Sequence, residues 1–158
     1  MYRYRSQDVD ITVGHRDLEG YKRELFRFFP DEVDNINRLF SESLRNYNDM
    51  CGFLYSRKPF WMRFIATPMV YPRVLRYGHE TVDHYFSRFT SNERLKEVLS
   101  AQWSYYGLPA KELAFGYFSY PFIDYLQNGG YSIKGGSQAL SNALVEVIEH
   151  HGGRVELE

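Results

Sequence analysis

Apolar and polar residues alternate at the start of the chain, where Val9, Ile11 and Val13 interleave with Asp8, Asp10 and Thr12, so residues 2–13 are predicted to be extended. The period then changes. Leu18, Tyr21, Leu25 and Phe28 recur at helical spacing behind Asp17, a natural N-cap. Pro30 closes that helix and opens the next, with Asp31 and Glu32 suited to the positive helix end. Val33, Ile36, Leu39, Phe40, Leu44 and Tyr47 give the second helix its inner face, and residues 46–52 read as its fraying end. Pro59, Pro68 and Pro72 cut residues 57–78 into short pieces, with one or two apolar helical turns over residues 60–65.

Residues 79–89 are predicted to form a helix with Val82, Tyr85, Phe86 and Phe89 inward. Ser91 is read as the cap of the next, whose inner face is Leu95, Val98, Leu99 and Trp103 and whose end is marked by Gly107 and Pro109. A further helix from Pro109 is expected to kink or stop near Pro121. Residues 131–133 read as a short strand, and residues 137–151 as a helix with Leu140, Leu144, Val147 and Ile148 inward. Strand-like Arg154-Val155-Glu156-Leu157 follows. The expected fold is α+β and mainly helical: a strand-edged body over residues 1–128, then a strand–helix–strand unit over residues 129–158.

Composition narrows the function classes. A chain of 158 residues can bury a real core. Its net charge of −1 and scattered Lys and Arg give no footprint for nucleic acid. The lone Cys51 cannot close an internal disulfide. The polar residues 2–8 do not resemble a secretion signal, and no apolar run approaches a membrane span. These points give a cytoplasmic expectation. Aromatic content is high, with 14 Tyr, 12 Phe and 2 Trp, enough to supply both a core and an apolar ligand surface.

Few groups suggest self-contained chemistry. His79 and His84 flank Glu80 but stand five apart, about 140° from one another around a helix, so they cannot share a metal from one helix face. No metal site is expected. Cys51 lacks a local nucleophile signature, and His150 and His151 suit a helix C-terminus. Gly135-Gly136-Ser137-Gln138 is the more suggestive element. Two glycines before a helix expose backbone N–H groups to an anion or a polar cofactor edge. Complete dinucleotide and phosphate-loop fingerprints are missing from the sequence.

Read together, residues 129–144 (GGYSIKGGSQALSNAL), the following Gly152-Gly153-Arg154-Val155, the upstream run Phe29-Pro30-Asp31-Glu32-Val33-Asp34-Asn35-Ile36, and Trp103-Ser104-Tyr105-Tyr106-Gly107-Leu108-Pro109 resemble the phytoene dehydrogenase-like family. That family comprises FAD-dependent oxidoreductases, among them carotenoid desaturases and isomerases and retinol saturases. The resemblance implies an internal piece of such an enzyme. Residues 1–128 would be the substrate-binding cap domain and residues 129–158 a truncated return segment of the FAD-binding domain. It places Gly135, Gly136, Ser137 and Gln138 beside the flavin of the full-length parent, with no FAD retained by this stretch alone.

The implied substrate is a hydrophobic, isoprenoid or polyene molecule undergoing desaturation, saturation or isomerisation. Phe60, Trp61, Phe64, Tyr117 and Tyr120 are the aromatic residues expected to line its path. Catalytic residues are not identifiable. The region from Phe60 to Tyr71 is apolar enough for peripheral membrane contact, although it lacks the Lys/Arg-rich polar face of an interfacial helix. An unpaired edge at residues 129–158 would favour homo-oligomers. The alternative reading is a stand-alone helical module that binds apolar ligands or partner proteins.

Overall fold

A computed structural model describes residues 2–6 and 8–156. The extended start is a hairpin: β1 (Tyr2–Arg5) pairs antiparallel with β2 (Asp10–Val13), with Tyr4 opposite Ile11. Val9, Ile11 and Val13 are buried, as the alternation predicts. α1 (Leu18–Phe28) begins where the Asp17 carboxylate accepts the Gly20 N–H at 2.8 Å, and buries Tyr21 and Leu25. A 3₁₀ turn at Pro30–Glu32 leads into α2 (Val33–Leu54).

α2 does not fray at residue 46. It continues two more turns because α7 (Phe115–Asn128) lies against it. Asn46 donates to Ser119 Oγ at 2.7 Å, and the Tyr47 hydroxyl donates to Asp124 Oδ1 at 2.7 Å. These cross-helix bonds give polar side chains a buried use that periodicity cannot reveal.

α3 (Phe60–Val70) runs straight through Pro68, so this proline does not break the region as expected. α4 (Pro72–Tyr77) follows, and the Tyr71 ring between the two closes on Gly52 of α2. A Cβ at Gly52 would stand 2.6 Å from that ring. α5 (Val82–Ser87) starts at a Thr81 cap, three residues later than predicted. α6 (Glu93–Leu99) is capped by Asn92 rather than Ser91; the Asn92 side chain accepts the Leu95 N–H at 3.1 Å. Trp103 falls on a separate 3₁₀ turn and faces outward, because α6 has already ended at Leu99.

Residues 109–114 are not helical as expected. The N–H groups of Val82 and Phe115 donate to the carbonyls of Leu113 and Glu80, and Thr81 bridges Ala114. That extended pairing delays α7 to Phe115, after which it passes Pro121 unbroken with Phe118 and Phe122 buried on either side. The core is an aromatic cluster: Tyr85 lies flat on Phe115, Tyr77 and Phe86 meet Phe115 edge-on, Phe118 meets Phe86 edge-on and stacks on Phe122, and Phe40 is tilted against Phe122.

Gly129 ends α7 at φ +81°. Residues 131–133 form no strand, and neither do Arg154, Val155 and Glu156; Leu157 lies outside the described residues. α8 (Gly136–His150) forms, but Leu140, Leu144, Val147 and Ile148 face solvent, 43–57% exposed, rather than inward. The fold is α+β and mainly helical, with one small two-stranded sheet among the described residues.

Candidate functional site

A run of exposed apolar side chains lies on α3. Its sequence, FWMRFIATPMV, carries a single charge, Arg63. That guanidinium turns back to the end of α2, donating to the carbonyls of Phe53 and Leu54 at 3.3 and 3.4 Å. Thr67, a helical turn further on, is buried and donates to the Arg63 carbonyl at 2.6 Å. Arg63 and Thr67 therefore define the inner side of α3. Phe60, Trp61, Phe64, Ile65 and Met69 occupy the outer side, 56–88% exposed.

The expected aromatic residues come together in part. Phe60 and Phe64 pack with ring centroids 4.7 Å apart, and Phe64 meets Phe53 edge-on at 6.2 Å. Tyr120 on α7 meets the end of α2 rather than α3: its hydroxyl bonds that of Tyr55, just after α2, at 2.9 Å. Its ring stacks on Tyr47 at 5.4 Å. Tyr117, 67% exposed, sits one turn earlier and meets Tyr106 edge-on instead. Tyr55 and the outer α3 residues Ile65 and Met69 extend the surface beyond the aromatics singled out from sequence. The apolar run around them was the available signal.

Beneath Tyr120 lies a polar ladder absent from the sequence reading. The Asn128 amide donates to Asp124 Oδ1 at 2.8 Å and to the Tyr47 hydroxyl at 3.2 Å, while Tyr47 itself donates to the same carboxylate. Burial, then the bond to Asp124, pushes the Tyr47 phenol well above its ordinary range. The bond to Tyr55, then burial, does the same for Tyr120. Both phenols are neutral hydroxyls at physiological pH. They can donate or accept hydrogen bonds at the rim of an apolar surface, and they carry no charge into it. Asp124 and Asn128 stand four apart on α7, a spacing visible in sequence but meaningless without Tyr47 from α2.

Gly135, Gly136, Ser137 and Gln138 lie elsewhere. Among the described residues no hydrogen bond, ion pair or ring contact joins α8 to α3. Gly135 and Gly136 take φ +89° and +77°, which side-chain-bearing residues rarely adopt. A Cβ on Gly136 would meet nothing within 4 Å, and no side chain caps the first turn of α8. Gln138 bonds Asn142 at 2.9 Å, leaving the helix mouth clear. An uncapped helix start behind bare backbone fits a polar or anionic cofactor edge. These residues alone cannot enclose one.

Glu80 accepts two bonds from Arg88 Nη1, both at 3.2 Å, and lies 3.7 Å from His84 Nε2. Among the described residues no three His, Cys, Asp or Glu side chains gather to hold a metal ion. Nor is any described helix long and apolar enough to cross a membrane.

The chain is 22% identical over 157 residues, 99% of its length, to 4,4'-diapophytoene desaturase (4,4'-diapolycopene-forming) of Methylomonas sp. Over 80 residues, 51% of its length, it is 32% identical to 4,4'-diapophytoene desaturase (4,4'-diaponeurosporene-forming) of Staphylococcus haemolyticus. The matched regions make up 30% and 15% of those relatives, so the chain spans less than a third of either. No family model and no solved structure matches. The similarities support a carotenoid desaturase-like relationship and nothing narrower.

Proposed function

We propose that this chain is the substrate-binding portion of an FAD-dependent oxidoreductase that acts on a hydrophobic polyene. The observation that carries the reading is the similarity, along nearly the whole chain, to a diapophytoene desaturase. The exposed aromatic surface of α3 supports it. A long apolar substrate needs apolar contact without buried charge.

In this reading residues 1–128 are the body that receives the polyene, with Phe60, Trp61, Phe64, Tyr117 and Tyr120 along its path. Residues 129–158 belong to the FAD-binding domain, and the apolar face of α8 packs on the remainder of that domain. FAD, when bound, would supply the capacity to accept or deliver hydrogen as hydride. Gly135, Gly136, Ser137 and Gln138 would present backbone N–H groups and small side chains to it. The body would orient the substrate and exclude water.

The decisive experiment compares this chain with a longer one that carries the flanking sequence of its parent. The longer chain is expected to purify yellow and to convert a diapophytoene-type polyene. The 158-residue chain is expected to retain no FAD. Stoichiometric FAD on the short chain would refute the placement of the cofactor domain, and a colourless, inactive longer chain would refute the reading itself.

A further inference from the structure

α2 and the residues just after α5 enclose a concavity of about 410 Å³, with Arg38, Ser41 and Arg45 on one wall and Arg88 and Phe89 on the other. Its size falls within the roughly 300–1,000 Å³ typical of small-molecule sites. At 100° per residue, Asn37, Ser41, Arg45, Arg38 and Glu42 share about 140° of the α2 circumference. One face of one helix therefore supplies most of the polar lining.

Three guanidinium groups line the concavity against one carboxylate, Glu42, on a chain whose net charge is −1. Glu42 is largely engaged by residues that do not line it. Arg73 and the Tyr77 hydroxyl donate to Glu42 Oε1 at 3.1 and 2.7 Å, and only Oε2, at 3.4 Å, is left to Arg45. Arg88 is held in place from behind: its Nη1 donates to both Glu80 oxygens at 3.2 Å, and its guanidinium lies 5.6–5.8 Å from the rings of Tyr77, Tyr85 and Phe89. The Arg38 side chain makes no hydrogen bond or ion pair among the described residues, and neither do the side chains of Asn37 and Ser41. Unused donors thus gather where no acid answers Arg38.

The spacing of the cations points to the shape of the anion. Arg38 and Arg45 stand two helical turns apart, about 10.5 Å along α2, with Ser41 between them and Arg88 across the gap. A lone carboxylate occupies a single guanidinium fork. A diphosphate carries oxygens on two phosphorus centres and can answer forks at both ends.

We propose that this concavity binds a small molecule carrying a diphosphate group. Arg38 and Arg45 grip the phosphate oxygens, Asn37 and Ser41 donate between them, Arg88 forms the far wall, and the Phe89 ring faces the group that the diphosphate carries. An acidic partner protein would need a broad face rather than a cleft of this size. The proposal does not rest on the polyene reading. The cavity is also distinct from Gly135, Gly136, Ser137 and Gln138, none of which lines it.

The test is isothermal titration calorimetry of the 158-residue chain with inorganic pyrophosphate and with ADP. Both are expected to bind, and added salt to weaken the binding. Arg38→Gln is expected to lower affinity about tenfold, with the melting temperature unchanged because Arg38 has no partner to lose. Adding Arg45→Gln is expected to abolish measurable binding. Arg57→Gln, beyond the far end of α2, is expected to leave affinity as it was. Binding of both ligands assigns the diphosphate group itself, and binding of ADP alone assigns a nucleotide.

Failure of the folded chain to bind either ligand at millimolar concentration would overturn the proposal. Binding that Arg57→Gln weakens as much as Arg38→Gln would overturn it in favour of general charge attraction. FAD also carries a diphosphate, so binding that Arg38→Gln leaves intact would overturn it in favour of the start of α8. No measurement needs a polyene or bound flavin, and the enzymatic reading stands or falls separately.

Discussion

Glu42 shows how one side chain ties two helices. It sits on α2, accepts from Tyr77 at the end of α4 at 2.7 Å and from Arg73 at 3.1 Å, and pairs with Arg45 at 3.4 Å. Burial works against its charge, but the bonds from Tyr77 and Arg73 outweigh that and hold its carboxyl below the ordinary 4.5. A depressed carboxyl stabilises the fold above its unfolded pKa, and that contribution disappears as pH falls through the folded value. Glu42→Gln is therefore expected to cost about 2 kcal/mol near neutrality. Its melting temperature should converge on that of the parent as pH drops through the folded-state value; a gap independent of pH would refute the assignment. Asn46 is the buried counterpart. Asn46→Ala removes the donor to Ser119, and chemical denaturation should show a loss of about 2 kcal/mol. Neither role can be read from sequence: Glu42 looks like an ordinary polar residue of an amphipathic helix, and Asn46, on the Leu39 side of that helix, needs Ser119 from α7 to explain its burial.

At the scale of elements, the local signals that use neighbouring residues were legible. Asp17 caps α1 and Pro30 separates α1 from α2, because both effects act within four residues of the chain. Signals that depend on a distant partner were not. α2 outlasts its expected end because α7 supplies Ser119 and Asp124, and α7 starts late because residues 80–83 pair with residues 110–115. The approach of α7 to α4 is equally nonlocal. A Cβ on Gly116 would stand 3.0 Å from the Tyr77 carbonyl oxygen, a backbone atom with little room to move. Gly116→Ala is expected to destabilise the protein by about 1–3 kcal/mol in urea unfolding, whereas an unchanged midpoint would mean that α4 and α7 can separate freely.

Across the whole molecule, two kinds of apolar surface differ in consequence. The body buries its aromatics, so Leu25→Ala in α1 is expected to cost about 2–5 kcal/mol. Leu144→Ala on α8 is expected to change stability by less than about 0.5 kcal/mol, since Leu144 is exposed in this chain. A large loss from Leu144→Ala would show that α8 folds back onto the body in solution. The sequence by itself determined where α1 and α8 lie, that aromatics dominate the core, and that Gly135 and Gly136 open a helix; capping, periodicity and glycine conformation are properties of short stretches of chain. Tertiary structure alone decided which apolar faces are buried. Periodicity reports that α8 has an apolar stripe and that α3 is apolar, but a stripe faces inward only if another element covers it. In this fold none of the described elements buries the outer side of α3 or the apolar stripe of α8, because burial depends on a second element that only tertiary packing can bring.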